Sequence, residues 1–371
     1  MMVCYEPHPR QYKLLTVIGR SRSGLATISL AKHLPSGGSV AIRRLHLEKR
    51  DDSSGLDFLD TTEEENEFIL SRQLDHPNVL RFYACFVSGD EIWEVMPLMA
   101  FGSCKDLVQA HFNDGLPEAA IAYVIRDVLQ ALEYIHRRGI IHRNVRASHV
   151  LVSAGGRVCL TGLTNCVDTM KDGARRRAVH VYPRNSAPAM NWLAPEVLEQ
   201  NMLGYTTNSD IYSIGILACE LANGRESFCD MQPTQMLLEK MYGTIPQLMD
   251  STTLSYLIAD ANQTAAGETT TAAPPDDDSP YKRTFSNNFH HFVALCTTHD
   301  AKSRPTAAEL LAHNFLKQVK RRSSLDLLPN LLYPVTPLGD VDNLPADDSF
   351  VDEQLRGVCE SLRLNENWAF D

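Results

Sequence analysis

The side chains best suited to chemistry are concentrated in one short segment of the chain. Residues 140–149 read Ile-Ile-His-Arg-Asn-Val-Arg-Ala-Ser-His. The histidines and arginines of this segment could bind an anionic group such as a phosphate, but no carboxylate is present to accept a proton. Residues 153–167 also contain no aspartate that could hold magnesium. The segment could therefore bind an anion, but it lacks the usual groups for acid–base or metal chemistry.

The order of several motifs resembles that of the protein kinase family over roughly residues 12–319. The motifs are Gly19-Arg20-Ser21-Arg22-Ser23-Gly24, Val40-Ala41-Ile42-Arg43, the segment 140–149, Gly162-Leu163-Thr164, Ala194-Pro195-Glu196 and Lys302-Ser303-Arg304-Pro305. They correspond to the glycine-rich loop, the phosphate-binding strand, the catalytic loop, D-F-G, A-P-E and a late arginine. The resemblance implies an α+β, bilobal protein-kinase-like fold. Its N-terminal lobe would be a small antiparallel sheet with one helix, and its C-terminal lobe would be large and mostly helical.

Four positions depart from the kinase pattern in ways that remove its chemistry. Asn144 stands where the family carries the aspartate base, and His149 where it carries an asparagine that binds magnesium. Gly162 replaces the magnesium-binding aspartate, and Arg43 replaces the phosphate-binding lysine. Losing a general base typically costs about 10²–10⁴ in rate, and losing an electrostatic clamp about 10²–10³ more. We therefore expect no catalytic residue and no metal site in this chain.

The residues that stabilise the kinase fold are retained, by contrast. Glu67 matches the helix glutamate that pairs with the residue on the phosphate-binding strand. Glu196 and Arg304 match the A-P-E glutamate and the late arginine that usually pairs with it, Asp210 matches the aspartate of a large-lobe helix, and Arg143 is also retained. Structural residues are retained while the catalytic and magnesium-binding residues are replaced. This combination indicates a kinase fold that is kept for something other than phosphoryl transfer.

The periodicity of apolar residues divides the chain into a strand-rich and a helix-rich part. Short apolar runs predict antiparallel strands over residues 12–97, with one helix near 63–74. Over residues 98–319 apolar residues recur at helical spacing. Residues 258–281 are rich in Thr, Ala, Asp and Pro, which predicts a disordered insert. Residues 320–371 are expected to form an extended C-terminal tail.

The resemblance also places an adenine-nucleotide cleft between the lobes. The residues expected to line it are Ile18, Gly19, Gly24, Ala26, Ala41, Arg43, Met96, Pro97, Met99, Arg146, His149 and Leu151. The carbonyl of Pro97 and the N–H of Met99 would bind the base. Without magnesium, Arg43, Arg146 and a protonated His149 would have to neutralise the phosphates. We expect ATP as a structural ligand that requires no magnesium; the alternative is an empty cleft in which these side chains pair with acidic neighbours.

Particular stretches resemble one branch of the kinases, the sterile-twenty-related kinase adaptors (STRAD). They include Arg43-Arg44, Ala147-Ser148-His149-Val150-Leu151, Leu160-Thr161-Gly162-Leu163, Gly204-Tyr205, Thr234-Gln235-Met236-Leu237-Leu238-Glu239-Lys240 and Arg283-Thr284-Phe285-Ser286. This resemblance implies a pseudokinase that binds the serine/threonine kinase liver kinase B and activates it allosterically. It implies a heterotrimer with a helical-repeat scaffold of the Mo-twenty-five type, and a role in cell polarity.

The end of the chain resembles the scaffold-binding end of this family. The family ends in Trp-Glu-Phe, and this chain ends with Trp368, Ala369, Phe370 and Asp371. Trp368 and Phe370 are therefore expected to anchor in the scaffold, since buried aromatics dominate many interfaces. Ala369 lacks the acidic side chain, which leaves the effect of one charge contact open. The alternative is an aromatic pair that folds back on the kinase-like domain.

Two basic runs admit both a functional and an ordinary interpretation. Arg175-Arg176-Arg177 could dock an acidic patch on a partner, but such runs are more often simply solvated. The run that ends at Ser323, Lys320-Arg321-Arg322-Ser323, resembles a basophilic phosphorylation site, although polar tails produce such strings easily.

Composition narrows the classes of partner and compartment. The chain of 371 residues is 44% hydrophobic and 22% charged, as in ordinary globular proteins, and its net charge of −11 argues against nucleic acid or a membrane surface as partner. Nine cysteines without a C-x-x-C pair predict reduced thiols, and no apolar run is long enough to span a membrane. We expect a cytoplasmic protein, with the nucleus as a second compartment. Two alternatives are an atypical or residual serine/threonine protein kinase and a scaffold that neither binds nucleotide nor activates a kinase.

Overall fold

Alternating apolar residues fold the first part of the chain into a twisted antiparallel sheet. The elements of this N-terminal lobe are β1 (Tyr12–Ser21), β2 (Ala26–His33), β3 (Ser39–His46), α1 (Thr61–Gln73), β4 (Ala84–Ser88) and β5 (Glu91–Pro97). The strands are ordered β1-β2-β3-β5-β4. Along β3, Val40 and Ile42 pack on one face of the sheet while Ala41 packs on the other, toward the cleft. Because side chains alternate along a strand, Arg43 lies on the same face of β3 as Ala41, toward the cleft and α1.

The computed structural model describes residues 4–21, 26–46, 61–171, 173–183, 187–253, 283–319, 322–338 and 369–370. Within these ranges, no helix combines the length and the apolarity that crossing a membrane would require. The predicted insert at 258–281 lies outside the described residues, as do Gly24 and Trp368.

The second part of the chain is organised around one long buried helix. Its elements are β6 (Gly102–Ser103), α2 (Cys104–His111), α3 (Glu118–Arg137), β7 (Ile140–Ile141), β8 (Val150–Val152), β9 (Val158–Leu160), β10 (Val167–Asp168), β11 (Met170–Lys171), β12 (Ala174–Arg175), α4 (Pro195–Leu198), α5 (Asn208–Asn223), α6 (Pro233–Tyr242), α7 (Asn287–Cys296), α8 (Ala307–Leu311), α9 (Asn314–Lys317) and α10 (Ser324–Leu331). Helix α3 lies at the centre of the largest apolar cluster. Its apolar residues recur at helical spacing, so Ile121, Ile125, Val128 and Leu132 are all fully buried. The expected fold class, a small antiparallel lobe with one helix and a large helical lobe, is confirmed.

Helices α5 and α6 are each followed by a glycine in a left-handed conformation, Gly224 and Gly243. Gly224 follows α5 with φ +76°, and a Cβ there would lie 1.8 Å from the Asn113 carbonyl oxygen. Only glycine fits this position, because any side chain would overlap the backbone of the preceding loop. Gly224 therefore fixes where α5 ends.

The segments on either side of the insert are tied to each other. The Ser251 amide donates to the Arg283 carbonyl at 2.9 Å. The buried Asp250 carboxylate accepts hydrogen bonds from the Phe285 amide at 3.1 Å and from His290 Nε2 at 2.8 Å. Hydrogen bonds between residues 250–251 and 283–290 therefore join the two segments that flank the insert.

The packed C-terminal lobe continues past the boundary predicted at residue 319. Leu328 of α10 and Leu332 just after it are 0% and 1% exposed and pack in the same cluster as α3. Ser324 Oγ donates to the Asp127 carboxylate at 2.7 Å, which ties α10 to α3. Residues 320–371 are therefore not simply an extended tail: residues 324–335 belong to the core. The sequence did not predict this helix because it has only eight residues and contains Pro329, so its helical periodicity of apolar residues is weak.

Truncation after residue 319 is expected to destabilise the chain by about 3–6 kcal/mol, since each fully buried leucine contributes about 1.5–3 kcal/mol. Truncation after residue 338 keeps α10 and is the matched control. Urea unfolding of the two truncated chains and the full chain checks this. Equal midpoints for the two truncations would contradict the role given to α10.

The last described strand returns to the small lobe. Ala369–Phe370 forms β13, which pairs with the edge of β1 in parallel, with Arg20 opposite Ala369 and Ser21 opposite Phe370. This backbone pairing agrees with the alternative in which the chain end folds back on the kinase-like domain. A scaffold that takes up the aromatic pair would have to compete with it.

Candidate functional site

Arg43 lies at the centre of a buried charge cluster in the small lobe. It stands directly opposite Glu94 in the pairing of β3 with β5, and its Nε donates to Glu94 Oε2. Its Nη2 donates to Glu67 Oε2 of α1 at 2.7 Å, and its guanidinium lies 5.4 Å from the Phe82 ring centre. Burial by itself would lower the pKa of Arg43, but the two carboxylates reverse this and hold that pKa well above its ordinary value. The charge of Arg43 is therefore already balanced by protein carboxylates.

Glu67 connects this cluster to the large lobe. While Oε2 accepts from Arg43, Oε1 accepts from the backbone N–H of Leu163 at 3.2 Å. Leu163 directly follows Gly162, the position of the metal-binding aspartate in kinases. One buried glutamate therefore ties β3, α1 and the segment after Gly162 together, which holds the two lobes in a closed arrangement.

The expected adenine-binding residues lie in one apolar cluster between the lobes. Its members are Ala41, Leu80, Phe82, Met96, Met99, Leu151 and Cys159, with Ile18, Ile28, Phe68 and Leu98 packed beside them. Of the other residues expected to line the cleft, Ala26 and Gly19 are buried on β2 and β1. Pro97 pairs with Val40 at the end of β5. Side chains of both lobes therefore pack together where the adenine-binding residues are expected.

Asp210 organises the catalytic loop. Its carboxylate accepts from the backbone N–H groups of His142 and Arg143, each at 2.8 Å, and lies 2.8 Å from His136 Nε2. Arg143 has φ +63°, a strained conformation that these hydrogen bonds hold in place. Burial alone would raise the pKa of Asp210, but the His136 hydrogen bond and the neighbouring imidazoles lower it below its ordinary value. Asp210 is therefore an ionised structural centre at neutral pH.

The residues at the degenerate catalytic positions contact each other. His149 Nδ1 lies 2.8 Å from the Asn144 carbonyl oxygen, and since a carbonyl can only accept, Nδ1 carries the hydrogen. Arg146 Nη1 donates to the Pro188 carbonyl at 2.9 Å, and its guanidinium lies 5.5 Å from the Trp192 ring. Its Nε is 3.5 Å from the same His149 Nδ1, which is a contact between two donors and not a hydrogen bond. The side-chain oxygen of Asn144 is buried and has no hydrogen-bond partner among the described residues.

The large lobe contains the ion pair expected from the A-P-E segment. Arg304 Nη1 and Nη2 donate to the two oxygens of Glu196 at 2.7 and 2.9 Å. Both side chains are almost fully buried, and the guanidinium also lies 5.0 Å from the Tyr212 ring. Such a bidentate pair fixes the end of the activation segment against α5 and the loop before α8.

Lys240, which the sequence did not single out for a role, supports the same segment from α6. Its Nζ is buried and donates to the carbonyls of Met190, Asn191 and Leu193 at 3.0, 2.6 and 2.9 Å. Burial lowers the pKa of Lys240 well below its ordinary value. Three backbone carbonyls at one amine hold residues 190–193 in a single conformation. A lysine within an otherwise apolar helix face would have been the only signal in the sequence.

Glu220 is a second residue that the sequence did not reveal. Its Oε2 accepts from Trp192 Nε1 at 2.8 Å and from the Ala147 backbone N–H at 3.2 Å, so α5 reaches both the catalytic loop and the activation segment. Burial raises the pKa of Glu220 to about 7, although the Trp192 hydrogen bond opposes the shift. The signal that could have revealed Glu220 in the sequence is a charged residue among the apolar residues of α5.

Relative to Glu220→Gln, the natural chain is expected to lose stability as pH rises toward 7. Because the folded pKa of about 7 is above the ordinary 4.5, the folded chain keeps a proton that the unfolded chain has released between these values. The full effect of this shift is about 3 kcal/mol. Urea unfolding of both chains from pH 5 to pH 8 measures it. Parallel stability curves for the two chains would contradict the assignment.

Two positions of the kinase pattern carry residue types that differ from those of the family. Position 144 carries an amide that cannot accept a proton, and position 162 carries no side chain. Among the described residues, no group of three or more histidines, cysteines or carboxylates is placed to hold a metal ion. The arrangement combines an apolar cluster between the lobes, two buried catalytic-loop cations and a backbone held by buried hydrogen bonds.

Comparison with known proteins agrees with this architecture. Residues 12–316 match the family model described as protein kinase domain. The chain is 43% identical over 360 residues to mouse STE20-related kinase adapter protein alpha, covering 94% of this chain and 82% of the mouse protein. It is 44% identical over 360 residues to the human alpha protein, with the same two shares, and 36% identical over 334 residues to the human beta protein, covering 86% and 78%. The chain therefore belongs to the STE20-related kinase adapter (STRAD) family, within the protein kinase fold.

Proposed function

We propose that this chain is a catalytically inactive pseudokinase that binds a serine/threonine kinase of the liver kinase B type and activates it allosterically. One observation carries the proposal: Glu67 closes the lobes through Arg43 and Leu163, while positions 144 and 162 carry no carboxylate. A kinase-like domain whose lobes are closed but which lacks these carboxylates is suited to binding a partner protein rather than to phosphoryl transfer. The relatives are named as kinase adapters, which supports the same role.

Activation of the partner would be a population shift. A binding surface favours the active state of its partner only by the difference between its affinities for the two states. Moving that equilibrium from 1:99 to 99:1 requires about 5.5 kcal/mol of differential binding. A surface held rigid by buried ties such as Arg304–Glu196 and Lys240 loses little conformational freedom on binding, so more of its contact energy remains available for this difference.

Reconstitution tests the proposed function. Liver kinase B and the helical-repeat scaffold are assayed on a peptide substrate with and without this chain, and in parallel with a catalytically dead partner. We expect a strong rise in peptide phosphorylation that disappears with the dead partner. An unchanged rate would refute the adaptor role for these partners, and transfer that persists with the dead partner would establish the alternative, a residual serine/threonine kinase.

The C-terminal aromatics are proposed to join the scaffold to this complex. Trp368 and Phe370 occupy the positions of the family's terminal aromatics, and Phe370 lies in the short strand that pairs with β1. Replacing both by alanine is expected to reduce scaffold capture while leaving direct binding to the kinase partner intact. Co-purification of the three chains, with the Trp368→Ala/Phe370→Ala chain beside the natural one, separates these contacts.

We also propose that the cleft binds ATP without magnesium. The apolar cluster around Met96 and Leu151 supports the proposed binding of the base, and Arg146 and His149, whose nearest nitrogens are 3.5 Å apart, are the proposed phosphate ligands. Arg43 contributes little net charge to this binding because Glu67 and Glu94 already balance it. Phosphate binding would therefore depend on the catalytic-loop cations rather than on the strand residue.

ATP is expected to raise the melting temperature equally in EDTA and in magnesium. At 100 times its dissociation constant a ligand adds about 2.7 kcal/mol of stability, which is a shift of several degrees. Adenosine serves as the control, because it keeps the base and lacks the phosphates. A shift that appears only with magnesium would contradict the proposal, and no shift with any nucleotide would favour the empty cleft.

A further inference from the structure

The backbone of Gly162 lies directly against the imidazole of His149. Gly162 has φ +79° and ψ 41°, a left-handed conformation. A Cβ built on Gly162 would lie 2.7 Å from Nδ1, 2.8 Å from Cγ and 2.9 Å from Cε1 of His149. Carbon cannot approach ring atoms this closely without repulsion. Position 162 therefore admits no side chain while the imidazole stays in place.

The imidazole cannot easily move aside. Its Nδ1–H donates to the Asn144 carbonyl oxygen at 2.8 Å, and His149 is only 5% exposed. Arg146 Nε lies 3.5 Å from the same Nδ1. Turning the ring away would break this buried hydrogen bond and leave the Asn144 carbonyl without it, which is unfavourable for a buried polar group.

The backbone on either side of Gly162 is also held. On one side, the Thr161 amide donates to the His149 carbonyl at 2.9 Å, and the Thr161 carbonyl lies 3.0 Å from His142 Nε2. On the other side, the Leu163 amide donates to Glu67. Gly162 therefore cannot shift away from His149 without loosening the tie that closes the lobes.

We propose that His149 determines the metal preference of the cleft through one steric unit with Gly162: the imidazole keeps out of position 162 the carboxylate that would bind a divalent cation, so the cleft takes nucleotide without metal. The selection of nucleotide rests on the proposed ATP binding, whereas the steric unit does not. The two departures from the kinase pattern at 149 and 162 depend on each other. Restoring aspartate at 162 alone drives its Cβ into the imidazole, so a metal site requires both positions to change.

A set of alanine substitutions tests the steric unit without nucleotide. Gly173 is the matched control, because its φ of +77° is the same but a Cβ there would meet no atom within 4 Å. Gly173→Ala is expected to lower the melting temperature by about 2–4 °C, the effect of the left-handed conformation alone. Gly162→Ala should lower it by at least about twice as much. In a His149→Ala background the added effect of Gly162→Ala should fall to that of the control.

Equal shifts for Gly162→Ala and Gly173→Ala in the natural background would overturn the steric unit. So would a Gly162→Ala effect that is unchanged when the imidazole is absent. Neither outcome depends on whether the cleft binds ATP, so failure of the steric unit can be told apart from failure of the proposed function.

Metal selection is tested with Mn²⁺ as probe in the His149→Asn/Gly162→Asp chain. For the natural chain, the melting-temperature shift produced by ATP should be the same with EDTA and with Mn²⁺. For the double variant, Mn²⁺ should enlarge the ATP shift, and electron paramagnetic resonance should show Mn²⁺ bound to the protein–nucleotide complex. A metal-dependent shift in the natural chain, or a double variant indifferent to Mn²⁺, would overturn the selection. No ATP shift in the natural chain would refute nucleotide selection together with the proposed ATP binding.

Discussion

Replacing Arg304 by leucine is expected to lower the free energy of unfolding by about 3–5 kcal/mol, the usual cost of removing one partner of a buried ion pair. The loss is large because Glu196 would remain buried without its cation. Arg304 also donates to the carbonyls of Thr298 at 2.6 Å and His299 at 2.9 Å, so these groups would lose their partner as well. Urea unfolding of the two chains measures the difference directly.

The double variant Arg304→Leu/Glu196→Leu is the control for this prediction. Removing both charges removes the uncompensated carboxylate, so the double variant should recover part of the stability lost in Arg304→Leu. Glu196→Leu alone should cost less than Arg304→Leu, because the guanidinium keeps its backbone carbonyl partners. If the two single variants and the double variant lost equal stability, the buried charge would not be the cause.

Replacing Glu67 by alanine is expected to cost about 3 kcal/mol of stability and to reduce activation of the partner kinase at least about tenfold. The change removes a charged hydrogen bond to Arg43 and leaves the Leu163 amide without its acceptor. Because this hydrogen bond links α1 to the segment after Gly162, its loss would weaken the closed arrangement of the lobes. Reconstituted kinase activity and urea unfolding give the two readouts.

Glu94→Ala is the matched control for Glu67→Ala. Glu94 also binds Arg43, but no hydrogen bond links it to the segment after Gly162 among the described residues. We expect a comparable loss of stability with activation of the partner retained. If both variants lost activation in proportion to their stability, closure by Glu67 would have no role beyond folding the small lobe.

The sequence by itself determined the kinase-like architecture and the identity of the missing groups. The order of the motifs predicted two lobes. The helical spacing of apolar residues in α3 and the glycine after α5 can be recognised from neighbouring residues alone, without knowledge of the fold. That positions 144 and 162 carry no carboxylate is a property of residue type, which no packing can change. The pairing of Arg43 with Glu67 followed from the same resemblance, and the structure contains it.

Only the tertiary structure decided which of these residues contact one another. The register of β3 against β5 brings Glu94 to Arg43 from a position 51 residues away, and helix packing brings Glu220 to the catalytic loop. The contact of His149 with Gly162 arises where the catalytic loop crosses the following segment, and the packing of α10 closes the large lobe late in the chain. Residue type and helical or strand periodicity follow directly from the order of residues in the chain. These contacts depend instead on strand register and on packing between distant segments. The proposed function depends on these contacts.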